Sequence, residues 1–242
     1  ELTNLGTLTF SNRNIAIGTY ALLSAANNNI NDNIAIGYGA LSQSVHSDGD
    51  NNVAIGSYAL SDLTAGAWGM VAVGEGSLRR TNHASSYGSV GVGYFALNAN
   101  VSGIGNTAVG YEALKVEDDG EHNTAIGYQA LVAQTGTSGT VANTAVGYKA
   151  LDGILTGGYN VAVGANALGA ADGAETENVG IGYNAGINLN NGSNNIAIGS
   201  NTNFSTAAAS NQVVIGKDAT GVANNSVTLG NADTTAVYMA QD

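Results

Sequence analysis

One alternation of apolar and small residues recurs along almost the whole chain: an aliphatic or β-branched residue, a small one, a second aliphatic one, then glycine. Its clearest copy is Asn123-Thr-Ala-Ile-Gly127-Tyr-Gln-Ala-Leu131. Aligned on the glycine, copies fall at Gly18, Gly37, Gly56, Gly74, Gly93, Gly110, Gly127, Gly147, Gly164, Gly182, Gly199, Gly216 and Gly230. The twelve intervals between these thirteen copies are 19, 19, 18, 19, 17, 17, 20, 17, 18, 17, 17 and 14. A period that holds while the connectors vary in length is the signature of a solenoid, in which each unit buries its apolar surface against its neighbours.

The residue before the glycine is Ile, Val or Leu in all thirteen copies, and the residue two earlier is Ile, Val or Thr. Between them stands Ala or Gly in eleven copies, with Val214 and Thr228 the exceptions. Period two with β-branched residues predicts a short strand. Its large side chains are expected to fill the coil and its alanines to face outward. A file of outward methyls predicts close neighbours, namely two further copies of the chain about a shared axis. The expected trimer interface is Ala16, Ala35, Ala54, Ala72, Ala108, Ala125, Ala145, Ala162 and Ala197.

After the glycine comes Tyr-x-Ala-Leu or a variant, with Leu at its last position in the first nine copies. This predicts a second short element, joined to the strand where a positive φ or a close backbone approach excludes a Cβ. Asn precedes the glycine by four residues in nine copies, among them Asn14, Asn106, Asn160 and Asn195. It suits the opposite corner, through left-handed geometry, local hydrogen bonds or a ladder with its equivalents.

Three regions follow from this register. Residues 1–13 are a strand-like lead-in or cap, 14–200 the regular β-roll, and 201–242 degenerate final coils, where Leu gives way to Asn203, Thr220 and Thr234. Polar, glycine-rich connectors supply the differences in length and place variable loops on one face, which in repeat proteins often binds. The fourth and fifth copies are the least regular. There Trp68, Arg79, Arg80 and His83 fall within sixteen residues and are the candidate ligand contacts.

Composition narrows the classes. Aromatics are 6% and charged residues 10%, and proline is absent, as suits thin layers whose backbone groups are committed to ladder bonds. A net charge of −12 argues against nucleic acid, which needs a basic surface, and suits a rod kept soluble by repulsion. With no cysteine there is no disulfide or thiolate site. No apolar run reaches the roughly 18 residues of a membrane span, so no membrane insertion is expected in this segment.

Sites of chemistry are weakly marked. Gly-x-Gly-x-x-Ala occurs at Gly91–Ala96, Gly103–Ala108 and Gly180–Ala185, but each match is a by-product of the repeat and none opens a helix to hold a pyrophosphate. Lys217 is followed by Asp218, so no phosphate-binding loop is present. His46, His83 and His122 lie singly in connectors. Carboxylates cluster at Asp48 and Asp50, at Glu117, Asp118, Asp119 and Glu121, and at Asp172, Glu175 and Glu177. Such groups could hydrolyse glycosides or hold Ca²⁺, yet spacing marks neither use, and charged loop tips are the simpler reading. Tyr38, Tyr94, Tyr111, Tyr128, Tyr148 and Tyr183 directly follow the glycine and are expected to stack ring on ring at the strand spacing, with saccharide binding the alternative. The chain is therefore expected to be no enzyme, with no catalytic residue, no metal and no cofactor.

The phrase Asn-x-Ala-Ile/Val-Gly over residues 14–230 resembles the head repeats of YadA-like trimeric autotransporter adhesins. That resemblance implies a left-handed parallel β-roll with two strands per coil, three chains side by side, and attachment. The family's basic coil is nearer the 14-residue interval found only at the end here. The longer version with Tyr-x-Ala-Leu looks more like the same roll in phage tail fibres, and Ser226 to Asp242 resembles the lead-in to a chaperone segment that such fibres carry. The expectation is thus an all-β, parallel β-roll or β-solenoid of about thirteen coils, a homotrimeric rod of about 60 Å. Its expected role is that of an extracellular structural and adhesive fibre that binds a cell-surface glycan or lipopolysaccharide on behalf of a virion tail. The head of a bacterial surface adhesin and a polysaccharide-degrading tailspike are the alternatives.

Overall fold

The computed structural model describes residues 13–23, 30–42, 49–63, 68–81, 87–135 and 139–237. It is all-β, a parallel β-solenoid of about 11 turns. One thirteen-stranded sheet runs in chain order from Ile15–Ile17 to Ser226–Leu229. Every pairing is in the register of the repeat: Ala125 lies beside Ala108 and Ala145, and Thr124 beside Thr107 and Thr144. Gly120–Glu121 and Gly139–Thr140 make a separate two-stranded parallel pair within the connectors. Strands continue beyond residue 200, at Gln212–Ile215 and Ser226–Leu229, so the weakened repeat still closes coils.

The strand faces are the reverse of those expected. Ala35, Ala54, Ala72, Ala108, Ala125, Ala145, Ala162 and Ala197 are fully buried within a single chain, and Ala16 packs partly buried against the same core. They cannot form the contact between chains. The bulky residues on either side face outward instead: Ile126 is 40% exposed and Ile15 and Ile17 are 50% exposed. The reason is the narrowness of the coil. Each turn places Leu of the Tyr-x-Ala-Leu segment in the interior, as Leu114, Leu131 and Leu151, and that one large side chain nearly fills the cross-section. At Gly180 a Cβ would already stand 2.7 Å from Leu168 Cγ, so the strand's inward position tolerates Ala or Gly and little else. Where the Leu is lost, at Gly186, Phe204 of the next coil moves into the space, its ring 2.9 Å from the position a Cβ would take.

The segment after the glycine is not a second strand. It is a run of turns in which residues with positive φ alternate with ordinary ones, as Gln129 (φ 54) and Leu131 (φ 52). Backbone bonds nevertheless tie it to both neighbours: Gln129 N–H donates to Tyr111 O at 2.9 Å and Leu131 N–H to Ala150 O at 3.0 Å. The ladder is thereby continued without strand geometry, and its groups are not left unpaired.

At the other corner, the buried asparagines form the ladder that their spacing suggested. Asn123 N–H donates to Asn106 Oδ1 at 2.8 Å, Asn143 N–H to Asn123 Oδ1 at 3.0 Å, and Asn160 N–H to Asn143 Oδ1 at 2.8 Å. Asn143 Nδ2 also donates to Gly157 O at 2.7 Å. The left-handed residue here is the one before the asparagine, as in His122 (φ 60) and Tyr159 (φ 61). Asparagine serves because its amide both accepts and donates across coils where no water reaches.

Candidate functional site

Three surfaces follow from this architecture: the outward sheet face, the tyrosine file beside it, and the connectors. On the sheet, two rows of Ile, Val and Thr flank each buried alanine. With thirteen strands about 4.8 Å apart and about 3.3 Å per residue, the strip is about 60 Å long and 10 Å wide, some 600 Å² of mostly aliphatic surface. That is comparable with the largest apolar patch usual on a monomer, and it runs unbroken from the first strand to the last. Val227 and Leu229 extend it to the last strand.

Four of the six tyrosines expected to stack do so; Tyr38 meets its neighbours edge to face, and Tyr183 stands between Ala165 and Ser200 at the equivalent positions of the adjoining coils. Tyr94, Tyr111, Tyr128 and Tyr148 lie parallel, with centroids 5.2, 5.0 and 5.5 Å apart and interplanar angles of 11°, 7° and 15°. Tyr20, Tyr38 and Tyr58 meet edge to face. The stacked rings cover one another and leave edges and hydroxyls to solvent, which suits a wall better than a platform for sugar rings.

Among the candidate ligand contacts, Trp68 is 51% exposed and stacks on Tyr87 of the next coil at 4.9 Å and 9°. Arg79 is held elsewhere, with Nε 3.5 Å from Asp62 and its guanidinium 5.1 Å above the Tyr58 ring. Arg80 is exposed, and its N–H donates to Asn98 O at 3.1 Å. His83 lies outside the described residues. The sequence cluster is thus divided in space: Trp68 belongs to a stacked pair before the strand, and Arg79 to a cation–π and ion-pair arrangement after it.

Of the acidic groups, Glu117, Asp118 and Asp119 converge, with one carboxylate oxygen from each lying within 4.8 Å of the others. Glu117 is fully buried, three residues after the core Leu114, in the file that Asn100 and Gln134 occupy in the adjoining coils. Its Oε1 accepts from Gly120 N–H at 2.7 Å, while its Oε2 has no partner. Burial pushes the Glu117 carboxyl up, the Gly120 and Asp119 backbone N–H groups oppose this, and the charges of Asp118 and Asp119 add to the rise. Asp119 is raised as well, chiefly by burial and then by Asp118. The buried member could not be singled out from sequence, because its connector reads as a uniform acidic loop.

A folded-state pKa above the ordinary value means that the native chain holds the Glu117 proton more tightly than the unfolded chain. The destabilisation therefore grows as pH rises from the ordinary carboxylate range through the folded pKa and is complete above it. Glu117→Gln is expected to stabilise the chain by about 1–3 kcal/mol near neutral pH in chelator, and to leave it unchanged near pH 3. Urea titrations of both proteins at the two pH values check this; equal stability at neutral pH would contradict it.

Among the described residues no helix is long and apolar enough to cross a membrane. The fold defines the class of protein as a parallel β-solenoid repeat protein. Compared with known proteins, the chain matches no family model, no curated protein and no solved structure.

Proposed function

We propose that the chain is a structural and adhesive segment of an extracellular fibre, assembled as a homotrimer, with a virion tail fibre as the favoured setting and a bacterial surface adhesin as the alternative. The observation that carries this reading is the outward sheet face. A strip of about 600 Å² of Ile, Val and Thr, running the whole length of the sheet, favours a cover of equal length. A second and third copy of the same strip supply it, each sheet meeting the other two about a common axis. The connectors then point away from the axis, carrying polar and acidic groups that keep rods apart and the variable residues that would contact a receptor.

Attachment in this reading is passive. Trp68 with Tyr87, and Arg80, are exposed groups from irregular coils and are the expected contacts for a cell-surface glycan or lipopolysaccharide. Three copies per rod, and several rods per particle, would turn weak contacts into tight binding. Flow cytometry of the fluorescently labelled chain over a panel of bacterial strains, with a glycan array alongside, tests it. The reading expects saturable binding to a subset of strains that unlabelled protein displaces and that Trp68→Ala weakens at least several-fold. Binding to none of the strains and no glycan would contradict the adhesive role and leave a spacer.

A further inference from the structure

We propose that Glu117, Asp118 and Asp119 form a Ca²⁺ site, one buried, one exposed and one half-buried carboxylate in the connector that follows Tyr111–Leu114. Two observations carry it, and neither depends on the fibre reading. The first is convergence. Oxygens of three consecutive carboxylates lie within 4.8 Å of one another, and two ligands of one Ca²⁺, each bound at about 2.3–2.6 Å, stand at most about 5 Å apart. The second is the orphan atom. Glu117 is 0% exposed, and its buried Oε2 accepts no hydrogen bond of ordinary geometry, which is costly for a carboxylate oxygen removed from water.

The surroundings do not supply a positive charge. The basic residues on either side are engaged with other acids, Lys115 with Glu112 at 2.8 Å and His122 with Glu121 at 3.8 Å. The backbone, by contrast, is fixed as a binding loop requires. Asp118 O accepts from Val101 N–H at 2.7 Å and from Ser102 N–H at 2.9 Å in the preceding coil, while Gly120–Glu121 pairs with Gly139–Thr140 in the following one. The Glu117 carboxylate lies directly over Gly120, where a Cβ would stand 2.8 Å from Glu117 Oε2.

The donor set selects the ion. Hard carboxylate oxygens with no nitrogen or sulfur suit Ca²⁺, Mg²⁺ or Mn²⁺. Of these, Ca²⁺ tolerates an irregular cage completed by water, whereas Mg²⁺ demands a near-ideal octahedron and gives up water reluctantly. The competing arrangement is a buried water donating to Oε2 and accepting from Gln134 Nε2, which is likewise buried and unpartnered in the next coil. That arrangement would leave the protein indifferent to Ca²⁺.

The experiment is a thermal melt of the whole chain, stripped with chelator and dialysed, in matched ionic strength with and without millimolar Ca²⁺. The same melts are made on Asp118→Asn/Asp119→Asn, which keeps both side-chain shapes and removes their charge, and on Glu117→Gln. Ca²⁺ is expected to raise Tm by about 2–5 °C in the unaltered chain. The rise is expected to disappear in both variants, and the double variant, relieved of repulsion among the three carboxylates, is expected to melt no lower than the unaltered chain in chelator. An unaltered chain whose Tm does not respond to Ca²⁺ would overturn the proposal. So would a rise that survives in Asp118→Asn/Asp119→Asn, because the ion would then sit elsewhere.

Discussion

Gly127→Ala is expected to prevent the chain from folding, or to cost at least about 4 kcal/mol where folding survives. Two separate effects add at this position. Gly127 has φ +139, a conformation that L side chains rarely adopt, and a Cβ there would stand 2.2 Å from Gly147 O and 2.6 Å from Gly147 C. The obstacle is backbone and not a flexible side chain, and it repeats: a Cβ at Gly147 would stand 2.5 Å from Gly164 O, and one at Gly110 would stand 2.3 Å from Gly127 O. One coil cannot give way without moving the next. Gly69→Ala is the control, because Gly69 also has positive φ (+67) but nothing lies within 4 Å of its missing Cβ. It is expected to cost about 1 kcal/mol, the left-handed penalty alone. Circular dichroism with urea unfolding measures both, and equal effects would show that conformation, not the stacked glycine file, sets the requirement.

Ile126→Lys with Val146→Lys is expected to separate the chains while leaving each coil intact. These residues lie in adjacent strands on the outward face, and Ile126 is 40% exposed in the single chain, so a lysine there meets water in the monomer and only a trimer axis would bury its charge. An unpaired charge at a desolvated interface costs several kcal/mol, enough to dissociate it. Ala125→Lys is expected to do the opposite, since Ala125 is 0% exposed inside the coil and the fold itself would fail. Sedimentation and circular dichroism on the two proteins distinguish the cases. If Ala125→Lys dissociated the assembly with its coils intact, the assigned faces would be wrong.

How much of this was legible in the sequence depended on the kind of constraint. The repeat register placed every strand of the main sheet, because a β-branched residue on each side of a small one recurs with the glycine at a fixed offset. A ladder was one of the uses open to Asn123 and its equivalents, beside a left-handed backbone that falls instead on the preceding residue, and Gly127 marked a site without room. Period two, however, separates two faces of a strand without saying which is inside. The usual rule that large residues fill the core placed Ile126 inward, and it failed because Leu131 of the same coil already occupies the narrow interior. Leu131 itself, at φ 52, carries no sign of its left-handed backbone; leucine is an uncommon occupant, held there by bonds to adjoining coils that a linear reading does not show. The same holds for Glu117. Its identity was plain, but its burial follows from standing in file between Asn100 and Gln134, a relation set by coil lengths of 17 residues on each side.

The acidic connector and the apolar sheet face make separate demands. A failed Ca²⁺ experiment would leave the assembly untouched, and a monomer would leave the cation site untouched. The assembly is the claim on which the functional account rests, because a rod that displays connectors outward needs the sheet face covered. Sedimentation equilibrium of the unaltered chain measures it most directly. The account predicts a mass three times that of one 24.1 kDa chain, and a species of 24.1 kDa, stable at micromolar concentration, would contradict it.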